Sequence, residues 1–174
     1  MPDAVQRMLE QLDPAKRAPL EKWNPALSGR IDIRIDRDGR WFHEGSEIRR
    51  FELVKLFASI LRFEADLGFV LVTPVEKWQL EVEEVPFIAV TVACRAGPCG
   101  DRLVFVTNVG EEVCADREHP IEHIGEPEQR RPCIRIRDGL LARLSRPVYY
   151  ELAERAVDHD GTLGVWSAGV FFPL

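Results

Sequence analysis

The same order of predicted secondary-structure elements occurs twice in this chain, and this repeat limits the folds that it can adopt. The first copy begins at residues 33–39 (IRIDRDG) and the second at residues 134–139 (IRIRDG). A helix pattern follows each turn, through FELV at residues 51–54 and YELA at residues 150–153. Alternating polar and apolar residues before an Asp-Gly pair are typical of a β-hairpin. We therefore predict two related units, each built as strand, turn, strand, helix and hairpin.

The repeat predicts an α+β fold with mostly antiparallel sheets. Residues 1–29 form an N-terminal helix and lead-in, residues 30–126 the first α+β unit with extra strands, and residues 127–174 a second, shorter α+β unit. The apolar spacing of residues 1–12 predicts a helix with Asp3 as its cap. Ser46 is predicted to cap the helix of the first unit and Gly68 to end it.

Three further segments have residue patterns that predict their secondary structure. The second unit is predicted to contain a helix over residues 147–158, with Ser145 or Arg146 as its cap, followed by a hairpin that turns at residues 167–169. Residues 87–94 are nearly all apolar, which predicts a central strand. Another hairpin is expected to turn near Thr73 and Pro74.

Length and composition exclude several classes of protein. The chain has 174 residues, of which 45% are hydrophobic and 30% charged, so it can bury a core. No apolar run approaches the roughly 20 residues that cross a bilayer, and the N-terminus lacks the pattern of a signal peptide, so we expect a cytoplasmic protein. A net charge of −6 argues against nucleic-acid binding. The 4 cysteines include no Cys-x-x-Cys pair and are expected to be free thiols.

The sequence contains none of the common catalytic or cofactor motifs. It lacks the Gly-x-Ser-x-Gly elbow and the glycine-rich phosphate loops. His119 and His123 could bind zinc from one helix, but Pro120 separates them, and in a strand they would lie about 13 Å apart. His43 and Glu44 could act as acid and base, but adjacent strand residues point to opposite faces. We therefore predict no catalytic residue, no metal site and no cofactor.

Charge is distributed unevenly along the second half of the chain. Residues 130–146 hold six arginines against one acid, and residues 111–128 hold seven acids against one arginine. The basic segment could bind an anionic ligand or a phosphorylated partner. We favour the alternative that arginines of the basic segment face the acidic segment or solvent.

Several separated motifs resemble one known family. They are WFHEG at residues 41–45, IRR at 48–50, LVKLF at 53–57, LVTPVEK at 71–77 and VPF at 85–87. In this order they resemble the uncharacterised bacterial family catalogued as domain of unknown function 1285, from about residue 28 to residue 174. The resemblance implies an α+β fold with two related units, the C-terminal one loosely similar to pleckstrin-homology-like domains. It also implies a link to signal transduction, and it supplies no catalytic residue.

The two predicted units also indicate where a ligand would bind. Pockets favour junctions between packed units, so we expect a cleft there. The residues that we place in it are Trp41, His43, Arg50, Lys77 and Arg135. The preferred function is a non-enzymatic ligand-binding or regulatory module whose partner is a small anionic ligand or a protein. Two alternatives stay open: an enzyme of unassigned type that uses the same cleft, and a structural subunit that exposes residues 170–174.

Overall fold

The structure is a computed structural model that describes residues 3–174. The described helices are α1 (Ala4–Glu10), α2 (Phe51–Ser59) and α3 (Arg146–Arg155), with short 3-10 helices at Leu20–Lys22 and Pro127–Gln129. The chain divides into two compact units, the first ending at Glu84 and the second beginning at Val85. Within residues 3–174, no helix has both the length and the apolar character needed to cross a membrane.

The first unit is built on one six-stranded sheet. Its strands are β1 (Gly29–Ile35), β2 (Trp41–His43), β3 (Ser46–Glu47), β4 (Leu61–Glu64), β5 (Gly68–Val72) and β6 (Lys77–Val82). Their order in the sheet is β3-β2-β1-β6-β5-β4. Only β1 and β6 run parallel; the other neighbours are antiparallel. The sheet therefore consists of two antiparallel meanders of three strands joined by one parallel pair.

The second unit contains a sheet of the same size and a smaller one. The strands of the larger sheet are β7 (Phe87–Arg95), β8 (Arg102–Thr107), β9 (Glu112–Cys114), β10 (Ile121–Ile124), β11 (Arg131–Arg137) and β12 (Leu140–Leu144). Their order is β10-β11-β12-β7-β8-β9, with β12 and β7 parallel at the centre. The smaller, antiparallel sheet consists of β13 (Val157–His159), β14 (Thr162–Ser167) and β15 (Val170–Pro173).

The two six-stranded sheets share one topology. In each, the first and the last strand along the chain form the central parallel pair, and the hairpins continue outward on both sides. This confirms a mostly β, mixed α and β architecture with a duplicated sheet. The correspondence runs from β1 with β7 to β6 with β12, whereas the sequence motifs paired β1 with β11. The Asp138-Gly139 turn thus occupies the position between the fifth and sixth strands of its sheet.

Alternation along the strands explains which side chains form the core. In β1, Ile31, Ile33 and Ile35 are buried, while Arg30 and Asp32, on the opposite face, are exposed. Burial of each such aliphatic side chain contributes about 1.5–3 kcal/mol. The predicted central strand is confirmed as β7, which lies between β12 and β8. The hairpins predicted near residues 73–74 and 167–169 are confirmed as β5–β6 and β14–β15.

The first helix of the repeat begins and ends elsewhere than predicted. Ser46 lies in β3, and Arg50 occupies the position before α2. The pair Glu44-Gly45 has positive φ at both residues (50° and 81°), which closes a tight turn and returns the chain as β3. Gly68 does not end the helix either, because α2 stops at Ser59 and residues 61–64 form β4. The apolar spacing fitted a helix, but pairing with β5 satisfies the backbone of this segment as a strand.

The other two helices agree with their predictions more closely. The helix predicted over residues 1–12 is observed as α1; residues 1 and 2 lie outside the described residues. Asp3 occupies the cap position of α1, but its side chain makes no capping hydrogen bond. Ser145 precedes α3 as predicted, and its buried hydroxyl also has no capping partner. The predicted end of this helix at residue 158 was wrong, because Val157–His159 form β13.

Candidate functional site

The five residues that the sequence analysis assigned to a ligand site have different environments. Trp41 is buried in the first unit, where its ring stacks on Phe57 with the centroids 6.3 Å apart. Lys77 is 5% exposed, and its Nζ donates a hydrogen bond of 2.8 Å to Glu64 Oε1. Both side chains therefore help to pack the interior of their unit.

The other three predicted residues have side chains nearer to solvent. Arg50 is exposed at the start of α2, and His43 is half-buried at the end of β2. Arg135 belongs to the second unit, where its Nη2 lies 2.8 Å from Glu122 Oε2. A ligand-binding role for this set of five stays a prediction.

Two arginines of the basic segment are paired with the acidic segment. Arg137 Nη1 lies 3.0 Å and 3.1 Å from the two carboxylate oxygens of Glu111. Arg135 pairs with Glu122 from the neighbouring strand β10. For these two side chains the favoured internal pairing is confirmed, and their charges are already matched.

A pocket of about 400 Å³ lies in the second unit and was not foreseen from the sequence. Leu103, Val157, Val165 and Trp166 provide apolar walls. The polar groups at its rim belong to Arg155, Asp101, Cys94 and Cys99. An apolar cavity with few polar groups is the usual form of a small-molecule site. We call it the Arg155 pocket.

Hydrogen bonds fix the hairpin β14–β15 that forms one side of the Arg155 pocket. The hydroxyl of Ser167 is fully buried, accepts a hydrogen bond of 2.8 Å from the Leu103 N–H, and donates one of 2.7 Å to the Ala115 carbonyl. The Ala168 N–H donates a hydrogen bond of 2.9 Å to the Asp101 carbonyl. The hairpin is therefore tied to β8 and to the loop that precedes it.

Arg155 brings a positive charge to the rim of this pocket. It is the last residue of α3, where a cation is favoured by the helix dipole. Its Nη2 lies 3.8 Å from Glu151 Oε1, which is longer than a hydrogen bond, and the side chain is 45% exposed. The guanidinium therefore retains donors for a ligand.

Trp166 presents an exposed aromatic surface at the same pocket. The ring is 47% exposed and packs against Phe171, with centroids 5.4 Å apart, and His159, at 5.0 Å. Aromatic neighbours hold the indole in place, so one of its surfaces can stack on a planar or apolar ligand. In the neighbouring strand β15, Phe172 is buried while Val170 and Phe171 are half-buried. A structural subunit that acts through residues 170–174 stays a prediction.

A second pocket, of about 410 Å³, lies on the exposed face of β1 in the first unit. Its charged lining includes Arg30, Asp32, Arg34 and Glu81. Arg34 forms an ion pair with Glu83, and its guanidinium lies 4.5 Å from the centroid of the Phe42 ring. Because this arginine is engaged within the protein, the pocket offers less to a ligand than the Arg155 pocket.

Three side chains of types that can ligate a metal lie close together at the end of β2. His43 Nε2 lies 3.4 Å from Asp3 Oδ2 and 3.9 Å from Glu44 Oε1. The sequence argument that residues 43 and 44 face opposite ways was wrong, because Glu44 has a φ of 50° and does not continue the strand. Asp3 could not be foreseen, since 40 residues separate it from His43.

The shifted pKa values of the acidic and imidazole groups have local structural causes. Burial acts to raise the pKa of Asp116, but hydrogen bonds from His119 and Glu118 lower it below its ordinary range. Burial lowers the pKa of His123, and the nearby charge of Arg130 lowers it further. His119 Nδ1 lies 3.1 Å from Asp116 Oδ1.

Burial and a nearby charge also act on a thiol beside the hairpin β14–β15. Burial raises the pKa of Cys114, and the charge of Asp116 adds to that effect. A raised pKa reduces the fraction of thiolate, which is the nucleophilic form of cysteine. Cys114 is therefore a poor nucleophile at neutral pH.

Comparison with protein families finds two models that together cover most of the chain. Residues 18–85 match "Domain of unknown function (DUF1285), N-terminal domain", and residues 86–174 match "Protein of unknown function (DUF1285), C-terminal domain". No curated protein matches the chain. The boundary between the two matches lies next to the boundary between the compact units at Glu84 and Val85.

Two solved structures are similar to this chain. A DUF1285 family protein from Silicibacter pomeroyi DSS-3, solved at 2.50 Å, is 39% identical; the match covers 100% of this chain and 96% of that one, with a TM-score of 0.90. A DUF1285 family protein from Shewanella baltica OS155, solved at 1.40 Å, is 28% identical; the match covers 71% of this chain and 91% of that one, with a TM-score of 0.58.

Proposed function

Since the chain belongs to the DUF1285 family, whose function is unknown, we propose from its own surface that it is a non-enzymatic ligand-binding or regulatory module. The proposed ligand is a small organic anion with a planar or apolar body, and the proposed site is the Arg155 pocket. The observation that carries this proposal is the guanidinium of Arg155 at the rim of an otherwise largely apolar cavity.

The size and walls of the pocket favour a small molecule. A volume of about 400 Å³ lies within the range of ligand pockets, about 300–1,000 Å³. Val157, Val165 and Leu103 would contact the apolar body of the ligand, and Trp166 would stack on it. Removal of this surface from water provides the main favourable free energy of binding.

The charges at the rim favour a ligand with a single negative charge. Arg155 would bind a carboxylate through two parallel N–H donors. Asp101 lines the same pocket and would repel additional negative charge. A monocarboxylate, with or without a cationic group facing Asp101, therefore fits better than a polyphosphate.

A regulatory role completes the proposal. The family resemblance implies a link to bacterial signal transduction, and both similar structures come from bacteria. We also propose that the protein is cytoplasmic and that its second unit is loosely similar to pleckstrin-homology-like domains.

The test is a thermal-shift screen of the full chain against aromatic and aliphatic monocarboxylates, followed by calorimetry on the compounds that raise the melting temperature. We expect Arg155→Gln to weaken binding about 10- to 100-fold, the effect of losing hydrogen bonds to a charged group. Arg146→Gln is the matched control, because Arg146 lies in the same helix and does not line the pocket. Equal affinities of the two variants would contradict the proposed site.

A further inference from the structure

We propose that Asp3, His43 and Glu44 form a binding site for a divalent transition-metal cation, with Zn²⁺ as the best fit. The three residues belong to the first unit and line neither of the two pockets described above. This site is therefore independent of the Arg155 pocket.

The spacing of the three ligand atoms suits one cation. All three lie within 4.8 Å of one another, and His43 Nε2 is 3.4 Å from Asp3 Oδ2. Tetrahedral zinc with ligand bonds of 2.0–2.1 Å separates its ligands by about 3.4 Å. The distance from Nε2 to Glu44 Oε1 is 3.9 Å, and this carboxylate is 71% exposed, so a small side-chain rotation would bring it to the same separation.

The backbone at two of the three positions directs the carboxylates toward the imidazole. Glu44 adopts a φ of 50°, which turns the chain out of β2 and brings its carboxylate back to His43. Asp3 stands at the cap position of α1, yet its carboxylate makes no capping hydrogen bond and faces His43 instead. A cation between these groups would offset the negative charge of two carboxylates.

The chemistry of the ligands selects the class of cation. One imidazole nitrogen with two carboxylate oxygens suits Zn²⁺, whereas Mg²⁺ and Ca²⁺ prefer oxygen ligands alone. Three protein ligands leave a fourth tetrahedral position open to water or to a small ligand. A partly exposed site of this kind admits the cation directly from solvent.

The competing interpretation is an ion pair that joins α1 to β2 without any metal. The chain offers a matched control for this interpretation, because His159 Nε2 lies 3.7 Å from Asp160 Oδ2. Among residues 3–174, this pair has no third ligand atom within 4.8 Å of both groups. An ion pair of this type would not bind zinc with defined stoichiometry. The two interpretations therefore differ in the number of Zn²⁺ ions that each chain binds.

The test is a calorimetric titration of the untagged full chain with ZnCl₂. Every arm carries Cys94→Ser and Cys99→Ser, so that the two exposed thiols do not bind the metal. We expect one equivalent of Zn²⁺ to bind and to raise the melting temperature. His43→Ala and Glu44→Gln should each weaken binding at least about 10-fold, while His159→Ala leaves it unchanged.

Two outcomes would overturn the proposal. One is no saturable binding of Zn²⁺, which would leave only the ion pair. The other is that Asp3→Asn and Glu44→Gln both bind Zn²⁺ as tightly as the parent chain. Their side chains are 54% and 71% exposed, so we expect both variants to keep the fold and any weaker binding to report on the lost carboxylate. Arg155→Gln should not change zinc binding, so failure of the ligand pocket and failure of this site are distinguishable.

Discussion

Asp36 organises the turn between β1 and β2. Its Oδ1 accepts hydrogen bonds of 2.9 Å from the N–H groups of Asp38 and Arg40, and its Oδ2 lies 2.8 Å from Arg40 Nε. Burial acts to raise the pKa of this carboxyl, but the hydrogen bonds from Arg40 and Asp38 outweigh it, so the pKa lies below its ordinary value. The charged form of one side chain thus holds the first hairpin of the sheet.

This arrangement makes part of the stability dependent on pH. Because the pKa of Asp36 is lower in the folded than in the unfolded state, its contribution is complete above the unfolded pKa of about 4 and is lost as pH falls through the folded pKa. We expect Asp36→Asn to lower the free energy of unfolding by about 1–3 kcal/mol at pH 7. The loss should shrink as pH falls below about 4.

Urea unfolding at pH 7 and at several pH values below 4 checks this expectation. Asp38→Asn is the control, since that side chain is 73% exposed and should change the free energy of unfolding by less than about 0.5 kcal/mol. A difference between Asp36→Asn and the parent chain that stays constant from pH 7 to below pH 4 would show that the charge of Asp36 is not responsible.

At the scale of elements, Ser167 joins the hairpin β14–β15 to the larger sheet of the second unit. Ser167→Ala would leave the Leu103 N–H and the Ala115 carbonyl without their partner in a buried position. We expect a loss of about 1–3 kcal/mol in the free energy of unfolding. Ser59→Ala is the control, because the exposed hydroxyl of Ser59 donates a hydrogen bond to the Leu56 carbonyl within α2. This substitution should cost less than about 0.5 kcal/mol.

Chemical denaturation of both serine variants measures the difference in their free energies of unfolding. The affinity of a ligand for the Arg155 pocket is a second measurement. Ser167 positions Trp166, so a compound found in the screen should bind more weakly to Ser167→Ala than to Ser59→Ala. Equal stability of the two variants would mean that water replaces the lost hydroxyl without cost.

Hairpins were predicted well because their signals are local. The turns at Asp38-Gly39, Thr73-Pro74 and residues 167–169 each lie within a few residues of the strands that they connect. The end of α2 was not predicted, because residues 60–64 fit an apolar helix stripe as well as a strand, and only pairing with β5 decides between them. The Arg155 pocket was missed for a similar reason, since it combines residues 94–103, 155–157 and 165–169.

Across the two units, the prediction of a duplication is confirmed, but the sequence motifs paired the wrong strands. They matched β1 with β11, whereas the topology of the sheets matches β1 with β7. The two Asp-Gly turns occupy different positions in the two sheets, because one joins the first two strands of its sheet and the other joins the last two. The parallel pairs β1–β6 and β12–β7 define the common topology, and they join segments far apart in the chain. Such long-range pairings leave no local mark in the sequence.

Each compact unit has its own core, which predicts that the second unit folds by itself. The large buried side chains of this unit, including Phe87, Phe105, Ile134 and Leu140, are at most 1% exposed. We expect a fragment of residues 85–174 to show a β-sheet circular dichroism spectrum and one cooperative thermal transition, as small domains do. The division proposed from the repeat instead begins the second unit at residue 127.

A fragment of residues 127–174 is therefore the informative comparison. It would lack β7, the parallel partner of β12, and β10, the partner of β11, so both edges of this hairpin would lose their hydrogen bonds. We expect this shorter fragment to melt without cooperativity, because the hairpin β11–β12 loses both neighbouring strands and a two-stranded hairpin is marginally stable in water. Cooperative unfolding of residues 127–174 would place the folding boundary where the repeat put it. Its absence in residues 85–174 would show that the second unit does not fold by itself.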